Sequence, residues 1–189
     1  MPIRLSARLT AAAAVVTVAL AGPLRAQENT PEAVAANYLS AMQASDWTGM
    51  AKLMHPDALR QLRAFMAPLF AATVPEAEAF REQFLGVRTV AEATALSDTT
   101  VFTNFVRALN ARNPTTAQAL SEAIIEQIGH VTEGADVAHV VYRATLDVES
   151  MSVTNVQVLT LKRSSDGWRV LLTGDYSALA TALRQALGG

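Results

Sequence analysis

The hydrophobic period of this chain changes once, near Ile124, and that change constrains the fold more than any motif does. Before it, apolar residues recur every three or four positions, as on one face of a helix. After it they recur every second position, as on one face of a strand. The stretch VAHVVYRATLDVE, residues 137–149, sets Ala138, Val140, Tyr142, Ala144, Leu146 and Val148 on one side. His139, Arg143, Thr145, Asp147 and Glu149 lie on the other, with Val141 the exception. Such alternation belongs to a strand with one buried and one wetter face, the habit of antiparallel sheets. Residues 151–163 and 167–175 read as further strands, separated from their neighbours by turn chemistry at 133–136 and 164–167. Helices first and an antiparallel meander last make an α+β layout, and no repeat or linker divides it.

The helical half is punctuated by caps and prolines. Thr30-Pro31-Glu32 offers a hydroxyl N-cap, a proline at the first helical position and an acid in the first turn. The stripe that follows is Val34, Ala35, Tyr38, Leu39 and Met42. Ser45-Asp46 caps a second helix with Trp47, Met50, Leu53 and Met54 on its apolar side. Pro56 disfavours the α conformation at His55, so that helix should end near Met54. Pro56 then opens a third helix, striped by Leu59, Leu62, Phe65, Met66 and Leu69. His55 and Asp57 are thereby explained as junction residues. Pro68 and Pro75 should frame a bend. Glu76 to Leu85 reads as a short helix with Phe80 and Phe84 inward, closed by Gly86. Ser97 caps a helix to Ala111, whose stripe is Val101, Phe102, Phe105 and Leu109. Asn113-Pro114 starts another, and Ser177 to Leu187 is a terminal helix or frayed tail.

The first 26 residues are expected to be a signal peptide. Arg4 and Arg8 precede an uncharged run from Leu9 to Leu24, and a small residue, Ala26, follows Arg25 at the expected cut. The run falls short of the ~20 apolar residues that a span needs, and Gly22-Pro23 breaks it. No integral membrane segment is expected after cleavage, and the destination is the periplasm or the exterior. Cleavage removes three arginines and no acid, leaving 12 basic against 17 acidic residues and a formal charge of −5. An acidic surface repels phosphate backbones, which argues against nucleic acid as a partner. With zero cysteines, disulfides, thiolate metal sites and thiol nucleophiles are excluded. The remaining domain, residues 27–189, must rely on its core.

The stretch PEAVAANYLSAMQASDWTGMAKLMHPDAL resembles the N-terminal helices of the NTF2-like, SnoaL-type superfamily, in which a helix bearing an aromatic leads to D-W, a short helix and H-P-D-A. DGWRVLLTGD resembles the last strand of that superfamily. The match covers residues 30–59 and 124–175, and residues 86–123 look like a helical insertion. The resemblance implies N-terminal helices packed on a curved antiparallel sheet, a conical cavity between them, and a homodimer formed through the sheet. The superfamily holds both enzymes and binding proteins, so the fold does not choose a function.

Enzymes of this fold place a carboxylate or a His–Asp pair inside the cone. No such motif can be carried over residue by residue, so candidates rest on their own chemistry. Tyr38, Trp47 and Tyr142 lie on apolar faces, where each could serve the core or present a polar tip to a pocket. His55 is a fourth pocket candidate. Asp57, Arg143 and Asp147 are polar candidates. Asp147 would be a general base and Arg143 an anion holder, against the plainer reading of an ion network on a wet or dimer-facing strand surface. A two-residue turn at Gly134-Ala135 would set His130 opposite His139, but a third ligand such as Asp147 would lie too far along the strand. No metal and no cofactor are expected, since Walker, dinucleotide, H-E-x-x-H and G-x-S-x-G fingerprints do not occur. The expected function is a non-catalytic module binding a small apolar ligand or a protein partner. An isomerase or dehydratase type of lyase, working by general acid–base catalysis in the cone, is the alternative.

Overall fold

The computed structural model describes residues 29–148 and 151–172, the side chains of residues 147 and 148 excepted. The expectations for the leader, for residues 173–175 and for Ser177 to Leu187 lie outside those residues. In the described part, seven α-helices precede four strands. The helices are α1 (Pro31–Gln43), α2 (Trp47–Leu53), α3 (Pro56–Ala71), α4 (Pro75–Phe80), α5 (Val90–Ala95), α6 (Asp98–Arg112) and α7 (Pro114–Glu122). The strands are β1 (Ile124–Glu133), β2 (Val137–Val148), β3 (Met151–Ser164) and β4 (Gly167–Val170). Each strand pairs antiparallel with the next, in the order β1-β2-β3-β4. This is the α+β layout that the change of period predicts and that the NTF2-like resemblance implies.

Local chemistry sets the helix starts. Thr30 accepts from the Ala33 N–H, Asp46 from Gly49 at 2.8 Å, and Ser97 from Thr100 at 3.1 Å, each side-chain oxygen satisfying a donor that the first turn leaves open. Thr89 and Glu92 form a reciprocal capping box ahead of α5. Helix α4 passes at Arg81 into a π-helical turn, Arg81–Leu85, which ends on Gly86 at φ +75°. That turn stacks Phe80 on Phe84, with ring centroids 4.5 Å apart, and brings Phe84 within 5.7 Å of Phe105 on α6.

Pro68 does not frame a bend. It sits inside α3, which continues to Ala71. The ring removes one donor, but in the last turn, where little helix remains to be disturbed. The carbonyls at that helix end are held from elsewhere. The buried guanidinium of Arg81 donates from Nη1 to Leu69 O at 2.9 Å and to Ala72 O at 2.7 Å, and from Nε to Arg88 O at 2.8 Å. Arg63 does the same for the end of α5, donating to Thr94 O and Leu96 O.

The helices cover one face and one half of the sheet. Ala138, Val140, Leu159, Leu161 and Val170 face inward and join a core with Val34, Ala35 and Leu39 of α1, Leu59, Leu62 and Met66 of α3, and Val101, Phe102 and Phe105 of α6. Residues 151–158 of β3 remain exposed, whereas Leu159 and Leu161 are buried. The β1–β2 register corrects the two-residue turn. Glu133 pairs with Val137, so the turn is the three residues Gly134–Asp136, and His130 lies opposite Val140 instead of His139. A bulge between Gln127 and Gly129 follows farther along. His130 therefore points inward to pair with Glu32, and His139 points outward to Thr160 and Glu133.

One glycine ties the first described residue to the sheet. Gly167 opens β4 at φ +119°, and its missing Cβ leaves room for the side chain of Asn29. Asn29 Oδ1 accepts from the Trp168 N–H at 3.0 Å. A Cβ at residue 167 would stand 2.2 Å from that oxygen. Gly167→Ala should cost about 2 kcal/mol from backbone strain and the displaced amide. The melting temperature, followed by circular dichroism, should fall by roughly 4–8 °C.

Candidate functional site

A cavity of about 270 Å³ lies where α1, α2, α3 and α6 meet the inner face of the sheet. Tyr38 reaches it from α1, Met50 from α2 and Leu62 from α3. Phe102, Phe105, Val106 and Leu109 form the α6 wall. Leu159 of β3 closes the sheet side, while Met54 and the pair Leu171 and Leu172 complete the lining. The helical stripes explain why these side chains converge, because each is an inward position of an amphipathic element. None of the lining residues carries a charge, and the Tyr38 phenol is the one polar side-chain group among them.

The Met54–His55–Pro56 junction borders this wall and answers what His-Pro-Asp does. Met54 makes a parallel bridge to Val170, and the His55 N–H donates to Val170 O at 2.7 Å. These bonds anchor the α2–α3 corner to β4. His55 is buried, and its Nδ1 accepts from the Asp57 N–H at 3.1 Å. It is the N-cap of α3, with Pro56 at the first helical position. The same Nδ1 lies 3.4 Å from Asp57 Oδ2. His55→Ala should remove about 1 kcal/mol of stability, with His55→Asn restoring most of it, as a cap exchange predicts. Urea unfolding of the three proteins measures this, and uptake of an apolar probe should be the same in all three.

The other residues singled out from sequence fall in different places. Trp47 is buried in the core at the start of α2 and is not a lining residue. Tyr142 is half-buried on the inner sheet face, in a row with Gln127 and Gln157, away from the cavity lining. Burial raises its phenol above the ordinary tyrosine range. Asp57 is exposed and pairs with Arg60, with Lys162 Nζ 3.5 Å from its other oxygen. Arg143 lies on the outer sheet face and pairs with Glu126 at 2.6 Å. The Asp147 side chain is outside the described residues. The structure thus brings Tyr38 to the cavity, sets His55 beside Asp57 at 3.4 Å outside the lining, and leaves Arg143 apart from both. Among the described residues, no group of three metal-ligating side chains exists.

Sequence reasoning did not single out Phe102, Phe105, Val106 and Leu109 as pocket residues. They fall in residues 86–123, set aside as an insertion. The signal was present in the stripe of α6, but a stripe does not state whether it meets protein or empty space. A second concavity, between α3 and α5, is larger but open. Arg60, Arg63 and Asp98 border it, and Arg63 is committed to carbonyls and to Asp98 at 3.4 Å. The less open cavity, whose lining carries no charge, is the better ligand site on chemistry.

No protein-family model and no curated protein matches this chain. Among solved structures, it is similar to an NTF-2-like protein of unknown function from Shewanella oneidensis MR-1. The two share 12% identity and a TM-score of 0.37, over 72% of this chain and 88% of that one. No described helix is long and apolar enough to cross a membrane.

Proposed function

We propose that this chain is an exported, non-catalytic binding domain that holds one small, uncharged, largely apolar molecule in the cavity between α1, α2, α3, α6 and the sheet. The observation that carries the reading is the lining: eleven residues, none charged, around about 270 Å³. A ligand there would gain ~25 cal/mol for each Å² of apolar surface removed from water, before ordering costs. A charged group would lose its hydration and find no counter-charge on these walls. The volume falls just below the usual range for small-molecule pockets, which points to a compact ligand. The acid–base alternative lacks support in this lining, since neither the His55–Asp57 pair nor Arg143 is among its residues. Native mass spectrometry of protein purified from its own host tests the proposal. A bound apolar molecule is expected, and an empty cavity with no uptake of Nile red would refute it.

Export rests on residues 1–26. The reading is supported by Arg4 and Arg8 ahead of the uncharged run from Leu9 to Leu24, with Ala26 at the expected cut. Intact mass of the host's secreted or periplasmic protein should begin at Gln27. The outer sheet face supports a homodimer. Val131, Val156 and Val158 are exposed there beside the Glu126–Arg143 pair. Sedimentation equilibrium at micromolar concentration should show two chains, and a persistent monomer would discard this contact.

A further inference from the structure

The open groove between α3 and α5 combines an apolar floor with a surplus of positive charge at one end. Its volume is about 640 Å³, within the usual range for small-molecule pockets. Ala64, Ala67 and Phe70 of α3 and Val90 of α5 make the floor. Arg63 crosses it, its guanidinium carbon 5.5 Å from the Phe70 ring centroid, and is held by Thr94 O, Leu96 O and Asp98. Arg60, one turn before Ala64 on the same face of α3, is less committed. Its side chain is 63% exposed and pairs with Asp57. Asp57 has a second cation, Lys162, with Nζ 3.5 Å from Oδ2. Arg60 can therefore leave Asp57 without stranding a charge, and an exposed ion pair of this kind adds little stability that would be lost. Over the lining and its ion-pair partners, the cations Arg60, Arg63 and Lys162 meet two carboxylates, Asp57 and Asp98. The chain as a whole leans the other way, with 17 acidic residues against 15 basic.

We propose that this groove holds a free, single-chain aliphatic carboxylate, with its head on the Arg60 guanidinium and its chain laid along Ala64, Ala67 and Val90. A guanidinium receives a carboxylate through two parallel N–H donors. One surplus positive charge matches a monoanion, whereas a phosphate monoester, at roughly −1.5 to −2 near neutral pH, would keep charge uncompensated. The shape selects the tail. From Arg60 to Ala71 the lining face of α3 runs about 16 Å, long and narrow enough for one extended chain, and each methylene on the floor leaves water. No residue lines both this groove and the cavity under α6, so the inference stands apart from the reading of that cavity.

Calorimetric titration of the intact protein with decanoate, below its micellar concentration, tests this. Decanoate should bind, and decanol, which has the same chain without the charge, should bind about tenfold more weakly or worse. Arg60→Gln should weaken decanoate binding by a similar factor with the melting temperature unchanged, since the side chain is exposed. Ala67→Glu sets a carboxylate on an exposed position of the floor and should abolish binding. Val106→Trp, which fills the other cavity, should leave it unchanged. No heat with decanoate, equal affinity for decanol, or full affinity in Arg60→Gln each overturns the proposal. Loss of binding in Val106→Trp with Ala67→Glu unaffected puts the probe under α6; that overturns the groove and leaves the cavity reading standing. Vesicles of phosphatidylglycerol separate a free acid from a lipid surface. The protein should stay behind when they are floated, and co-flotation that Arg60→Gln abolishes would overturn the free acid as the occupant.

Discussion

Arg81→Met should cost about 3 kcal/mol or more and lower the melting temperature by roughly 6–12 °C, although residue 81 lies outside the cavity lining. The side chain is 3% exposed, and its guanidinium donates to Leu69 O, Ala72 O and Arg88 O. No carboxylate pairs with it among the described residues. Its charge is compensated by carbonyl dipoles, two of them at the C-terminal end of α3, where a helix favours a cation. Methionine fills similar space but donates nothing, so buried acceptors are left without partners, at about 1–3 kcal/mol for each that water cannot reach. Replacing a buried charge by an apolar side chain is often harmless when its partner is removed as well. Here the partners are backbone and stay behind. Arg81→Lys keeps the charge but cannot present the planar fork, and should recover only part of the loss. Urea unfolding decides between these accounts. A midpoint shift at unchanged slope is expected, and a loss below about 1 kcal/mol would mean that the carbonyls rehydrate.

Features that local chemistry determines were legible before the fold was seen. The period change at Ile124, the caps Thr30, Asp46 and Ser97, the Pro56 start and the Gly86 stop each depend on a few neighbouring residues. What was not legible depends on distant ones. Pro68 is tolerated because it falls in the last turn of α3, and the carbonyls at that end are held by Arg81, thirteen positions on. The length of the β1–β2 turn decided which face each histidine takes, and a difference of one residue moved His130 to the inner side. Sequence reasoning placed Tyr38 on a helix stripe, as it placed Trp47. Only the packing separates them, since Trp47 meets protein on its sides and Tyr38 meets the cavity. The α6 residues that make one wall lie about 60 positions from α1 and α2, and nothing local states that the two stripes leave space between them.

Val106→Trp should abolish binding while leaving the fold intact, and this pair of results tests the cavity as a ligand site most directly. Val106 projects from α6 into the cavity, so a larger side chain would grow into empty volume and not into packed protein. Filling a cavity commonly adds about 0.5–2 kcal/mol of stability, so the melting temperature should hold or rise. Nile red affinity should fall by more than about tenfold, equivalent to about 1.4 kcal/mol or more. Leu159→Glu separates occupancy from polarity. Its carboxylate would face a lining without a cation, which costs stability and binding together. If Val106→Trp keeps full affinity, the probe sits elsewhere, and the open groove between α3 and α5 becomes the place to look. If affinity falls only together with the melting temperature, the cavity is a packing feature and not a site. Only loss of binding at constant or higher stability identifies the hollow under α6 as the place where this protein holds its ligand.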